Sequence, residues 1–148
     1  MTIKPNEILA ESDPPTVAMH DGILVIDYGH VLIWTVDMSW RSFAMAAPYF
    51  NPAARFRVLI LLRSEVLLSG SFDQFLNDPK VQDATAATAI VAHSQFTEYS
   101  IEQVLEYLPK LPYPIRLFLH RKDAETWLRS ITPGPVASPP GVPPLSPQ

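Results

Sequence analysis

The 148-residue chain has no cysteine and only five glycines. Without thiols there is no disulfide framework, thiolate zinc site, cysteine nucleophile or iron–sulfur centre. No glycine-rich phosphate loop occurs, which argues against nucleotide hydrolysis and dinucleotide binding. Charged residues are scarce at 18 %, below the usual quarter. The formal charge of −4 leaves no basic face of the kind nucleic acids require, so none is expected as a partner. The most apolar run, Phe56 to Leu62, is broken by Arg57 and closed by Arg63, far short of the ~20 residues of a membrane span. MTIKPNEILAESDPP lacks the basic-then-apolar pattern of a secretory leader. A cytoplasmic protein that does not engage membranes is the expectation.

Apolar residues make up 47 % and prolines number 16, and the length suits one domain with a sizeable core. Residues 1–18 are polar, contain Pro5, Pro14 and Pro15, and show no clear period. They read as a largely unstructured arm, with Ile8 and Leu9 available for a helical turn. Residues 19–131 hold every periodic segment. Residues 132–148 hold seven prolines in seventeen positions and read as a disordered tail. Residues 1–36 carry one basic and five acidic groups, while the remainder is balanced. The acidic beginning reads as a solubilising arm.

GILVIDYGHVLIWTV (residues 22–36) predicts two strands around a turn at Tyr28-Gly29-His30. Asp37 can cap a helix ending near Ala47, with Trp40, Phe43, Ala44 and Ala47 on one face. Val58 to Leu62 is apolar on both faces and predicts a central strand. Ser71 can cap a short helix with Phe72, Phe75 and Leu76 inward, and Asp78-Pro79 starts another. Thr88 to Ala92 is a second buried strand. Ser100 and Gln103 fit a capping box, with Tyr99 and Val104 as its hydrophobic staple. Ile101, Val104, Leu105 and Leu108 then form one stripe, ended by Pro109. Ile115 to Leu119 is the last strand. Asp123 caps a final helix with Ala124, Trp127, Leu128 and Ile131 inward. The order β-β-α-β-α-β-α-β-α predicts an α/β domain with a mixed, mainly parallel sheet, an N-terminal antiparallel hairpin and about four helices.

Tyr113-Pro114-Ile115-Arg116-Leu117-Phe118, followed by Arg121 to Leu128, resembles the ending of STAS-like domains, relatives of the anti-sigma-factor antagonists. There a P-x-R-x-F strand leads into an A-x-x-W-L helix. The resemblance runs over about residues 19–131. It implies the STAS-like fold and a bacterial, non-enzymatic regulatory module that binds a protein partner and is switched by phosphate. Phospho-regulated members carry Asp-Ser just after the central strand. The corresponding stretch here, Arg63 to Phe72, has serines and no Asp-Ser pair. Ser69 or Ser71 matches the switch position, with Phe72 beside them as a partner contact. A phosphate is favoured at a helix N-terminus, although a turn at Gly70 and a cap at Ser71 also explain these residues. The alternative function is a small-ligand or lipid-binding domain, which requires an apolar cavity between sheet and helices.

No catalytic residue, cofactor or metal ligand set is expected. His20, His30, His93 and His120 show no metal-binding spacing. His93 and His120 each follow a strand, with Ser94 and Asp123 nearby, but no G-x-S-x-G elbow supports a hydrolase. Asp27 lies among apolar strand residues and reads as exposed on an edge, where charge blocks strand pairing; pairing with a nearby arginine is the other solution. Arg55, Arg57 and Arg63 bracket the central strand and read as flanking charges. Trp34, Trp40 and Trp127 sit at core spacing. Pro140-x-x-Pro143 and Pro144-x-x-Pro147 match the minimal polyproline ligand pattern, without a flanking arginine.

Overall fold

In the computed structural model, residues 15–70, 72–106 and 110–134 are described. The strands are β1 (Thr16–His20), β2 (Ile23–Asp27), β3 (Ile33–Thr35), β4 (Phe56–Leu61), β5 (Leu67–Ser69), β6 (Thr85–Val91) and β7 (Ile115–Phe118). The helices are α1 (Val36–Ala46), α2 (Phe72–Leu76), α3 (Pro79–Ala84), α4 (Gln95–Glu106) and α5 (Arg121–Arg129), with a 3-10 turn at Ala47–Tyr49. A five-stranded sheet has the order β1-β2-β4-β6-β7, and β3 and β5 form a separate two-stranded ribbon. Only the β1–β2 pair in the large sheet is antiparallel; β2, β4, β6 and β7 run parallel.

The side-chain pattern of β4 fixes the two layers. Phe56, Val58 and Ile60 enter one core with Trp34, Phe72 and Ile101. Leu59 and Leu61 enter the other with Ala87, Ala89, Ala124 and Leu128. A strand buried on both faces needs cover on both. The first face is covered by residues of α1, α2, α3 and α4, and the second by α5.

The opening hairpin turns one strand earlier than expected. Asp21 and Gly22 both have positive φ, 49° and 78°, which is the two-residue turn that matches strand twist and that Asp-Gly favours. Val17 and its neighbours, assigned to the arm, therefore pair with β2. Residues 28–30 do turn, but they lead out of the large sheet into β3, which pairs in parallel with β5 through Ile33–Leu67, Trp34–Leu68 and Thr35–Ser69. The Thr35 hydroxyl, and not Asp37, caps α1 by accepting from the Met38 N–H at 3.2 Å. Helix α4 starts five residues before the expected capping box. Ser94 Oγ accepts from the Thr97 N–H at 3.3 Å, while Ser100, one turn inside, donates to the Phe96 carbonyl. His120 is the N-cap of α5, and its side chain makes no capping bond; Asp123 sits in the first turn instead. Expectations for residues 1–14 and 135–148 lie outside the described residues, as does the cap expected at Ser71.

Candidate functional site

Between the first sheet face and its helices lies a cavity of about 90 Å³. Its floor comes from alternate residues of β2, β4 and β6, including Leu24, Ile26, Val58, Ile60 and Ile90. Its roof includes Trp34, Phe43, Phe72 and Phe75, with Leu105 and Ile115 at the side. No Lys, Arg, His, Asp or Glu lines it. Phe43, Phe75, Leu105 and Ile115 are half-buried, so the cavity is closest to solvent between α1, α2, α4 and β7. Two edge-on aromatic contacts link α1 to α2 there, Trp40–Phe75 at 4.8 Å and Phe43–Phe75 at 6.3 Å, and a third, Trp40–Phe43 at 6.1 Å, lies within α1.

Four polar side chains of this layer are gathered at one place. Trp34 Nε1 donates to Ser39 Oγ at 3.1 Å, Ser42 Oγ donates to the Ser39 carbonyl at 2.8 Å, and the Tyr28 hydroxyl lies 3.0 Å from Ser42 Oγ. Buried polar groups persist when they are paired in this way. Burial pushes the Tyr28 hydroxyl pKa up against the opposing effect of these bonds. Tyr113 also lines the cavity, and its only hydrogen bond among the described residues is a long 3.5 Å one to the Leu76 carbonyl. Burial raises its pKa too.

The β3–β5 ribbon closes one side. Trp34 and Leu68 face inward and line the cavity. Their neighbours face out: Leu32, Ile33 and Leu67 are 70 %, 53 % and 67 % exposed. Ser69, the last residue of β5, is exposed and pairs with Thr35. Gly70 has φ 106°, and a Cβ there would lie 3.2 Å from Val36 Cγ1, so the turn out of the ribbon requires glycine. Ser71 lies outside the described residues. Phe72 is buried, edge-on to Trp34 at 5.5 Å; its ring roofs the cavity and presents no contact surface.

A second cluster sits at the carboxyl ends of the parallel strands, the rim where open α/β sheets bind ligands. Arg63 grips both Asp27 oxygens, with Nε at 3.1 and 2.9 Å and Nη2 at 2.7 Å. Asp27 is therefore paired on an interior strand, and not exposed on an edge as expected. Burial alone would raise its pKa. The Arg63 bonds, the Gly29 N–H at 2.8 Å and the charges of Arg63 and Arg121 outweigh that and hold it below the ordinary range. Nearby, the Glu65 carboxylate takes hydrogen bonds from the Ser94 and Thr97 hydroxyls, which with the charge of His93 lower its pKa. The Ala92 N–H to Phe118 carbonyl bond, 2.8 Å, sets the ends of β6 and β7 side by side, so His93 and His120 share this rim. Ser94 is committed to Glu65 and to the start of α4. No hydrogen bond joins it to a histidine among the described residues. Among those residues no group of three or more His, Asp or Glu is placed to hold a metal, and no helix is long and apolar enough to cross a membrane.

The arrangement of strands and helices has a counterpart of known structure. An uncharacterised protein of the DUF3478 family from Shewanella loihica PV-4, whose crystal structure at 2.25 Å is described as having a SpoIIAA-like fold, superposes with a TM-score of 0.53 at 16 % identity. The match covers 78 % of this chain and 92 % of that one. The fold is SpoIIAA-like. No family model matches the sequence, and no curated protein matches it. The mixed sheet with its antiparallel opening hairpin is thus the STAS-like architecture that the strand and helix at Tyr113 to Leu128 pointed to.

Within this SpoIIAA-like frame, three features carry no local signal in the sequence. The ribbon strands have three residues each, too few to show a period. The Glu65–Thr97 bond joins residues 32 positions apart, and no local pattern marks it. The cavity depends on how helices seat over the sheet, which composition does not reveal.

Proposed function

We propose that this protein is a non-enzymatic binding module whose interior takes a small apolar molecule. The observation that carries this reading is the cavity of about 90 Å³ with no ionisable lining group other than tyrosine hydroxyls. A larger engineered apolar cavity, of about 150 Å³, stays dry and binds benzene or xenon. Such a site gains affinity from apolar area removed from water and disfavours charged ligands, which would lose hydration without a partner. The half-buried aromatic contacts between α1 and α2 supply a wall that can move without breaking the sheet.

The test is a calorimetric titration with benzene and short neutral n-alkanols, alongside Val58→Phe, which fills the floor. Saturable binding to the wild type and its loss in a folded Val58→Phe protein is the expected result. Absence of saturable binding across the series overturns the reading.

A second reading is favoured by the exposed ribbon. Leu32, Ile33 and Leu67 form an apolar outer face that ends at exposed Ser69. This surface would dock a protein partner, and phosphate on Ser69 or Ser71 would switch it. Its test is copurification from native cells with Ile33→Asp and with a Ser69→Ala/Ser71→Ala variant. One partner lost with both variants, and retained by Val58→Phe, supports it. A partner set unchanged by these substitutions removes it.

A further inference from the structure

Strand β7 is the outer edge of the large sheet, and no strand of the described residues pairs with its open side. The carbonyls of Pro114 and Phe118 accept from Thr88 and Ala92 of the β6 side at 2.9 and 2.8 Å. Along a parallel strand the inward and outward groups alternate. The main-chain groups of Ile115 and Leu117 therefore turn outward, where no strand of the described residues meets them. An open edge of this kind is a template for another chain.

A groove of about 420 Å³ runs along this edge, lined by Glu102, Leu105 and Glu106 of α4 and by Ile115, Arg116 and Leu117 of β7. Its apolar floor is Leu105, Ile115 and Leu117, all half-buried. Glu98, Glu102 and Glu106 recur every fourth residue on α4, so they share one face of the helix. None of the three has an ion pair among the described residues. Lys110, the nearest cation in sequence, makes no ion pair with them among the described residues, and Arg116 carries its guanidinium over the Phe118 ring, 5.1 Å from the centroid. One wall of the groove therefore carries two carboxylates, Glu102 and Glu106, with no ion pair among the described residues, and the other offers main-chain donors and acceptors.

We infer that this groove docks an extended basic segment of a partner protein, which adds to β7 as a sixth strand. Strand addition to an exposed edge beside a helix draws affinity from main-chain bonds and selectivity from alternate side chains. Here the alternate side chains of the guest facing α4 meet carboxylates, so lysine or arginine at every second position complements them. The intervening residues would be β-branched, which suits an extended guest. A second copy would offer its own β7, Ile115–Phe118, which carries a single basic residue, Arg116, and so lacks the alternating positive charge that the carboxylates favour. This inference does not rest on an occupied cavity.

The experiment uses the full-length protein and two labelled peptides, one alternating lysine with valine and one alternating glutamate with valine. Fluorescence anisotropy is expected to show saturable binding of the lysine peptide, weakened by salt, and none of the glutamate peptide. The exposed double variant Glu102→Lys/Glu106→Lys is expected to weaken binding about tenfold or more. Backbone ¹⁵N spectra are expected to show shifts at the Ile115 and Leu117 amides and slower exchange there. Equal binding of both peptides, or binding that leaves those two amides unmoved, overturns the inference. So does concentration-dependent dimerisation that protects the same amides without peptide, which would assign the edge to a second copy. Failure of apolar guests to bind the cavity leaves these readouts untouched, so the two proposals fail separately.

Discussion

The two faces of the central sheet are built from different materials. On the α5 face, Leu59, Ala87, Ala89, Ala124 and Leu128 are fully inaccessible. Small alanines on β6 let one helix approach closely, and Leu128 fills what remains. On the other face the cover comes from four helices and a ribbon, with large aromatics and a cavity of about 90 Å³ between them. Alanine-lined contact is short-range and unforgiving. Aromatic cover spans more distance and leaves space where rings cannot interdigitate. One face thus supplies rigidity and the other supplies room for a guest.

Truncation on the tight face should produce the largest effect. Leu128→Ala removes a fully buried side chain and should cost about 3 kcal/mol, within the range of such deletions, read from urea unfolding. Overpacking is the converse test. Ala89→Val adds atoms where none fit and should cost about 1–3 kcal/mol. Val58→Ile adds one methylene toward the cavity and should be neutral or stabilising by up to about 0.8 kcal/mol. If both enlargements cost the same, the contrast between the faces is lost.

Smaller effects probe the polar groups. Tyr28→Phe deletes the hydroxyl 3.0 Å from Ser42 and should cost about 1 kcal/mol, because Ser42 keeps its bond to the Ser39 carbonyl. The smallest effect belongs to Asp27 and Arg63, whose side chains are 24 % and 49 % exposed. The Asp27 pKa is held down in the folded protein. Its stabilisation is complete above the ordinary carboxylate pKa and fades as pH falls through the lowered one. With solvent screening it is worth about 0.5–1 kcal/mol. Asp27→Asn should lower the urea midpoint at neutral pH and leave it near the wild-type value once the wild-type carboxyl is protonated.

The tight face was the more legible one. Val58 to Leu62 and Thr88 to Ala92 announce strands covered on both sides, and Ala124, Trp127 and Leu128 announce the helix that covers one of them. The stripe Ile101, Val104 and Leu105 likewise identifies α4, although its start was misplaced. Ser100 resembles a cap because serine favours both helix starts and back-bonding to a carbonyl one turn earlier; only the fold shows which it does. Asp21-Gly22 was readable and overlooked, since Asp-Gly before an apolar run is a strong hairpin signal. The cavity face was less legible because its boundary is set by the seating of four separate helices, two of them of only five and six residues, and by a ribbon whose strands pair across more than thirty residues.

Methyl NMR under xenon pressure tests the contrast most directly, because xenon enters dry apolar cavities. The account predicts saturable shifts of the Ile26, Ile60 and Ile90 methyls, with Leu59 and Leu128 unmoved. Equal shifts on both faces, or none on either, would contradict it.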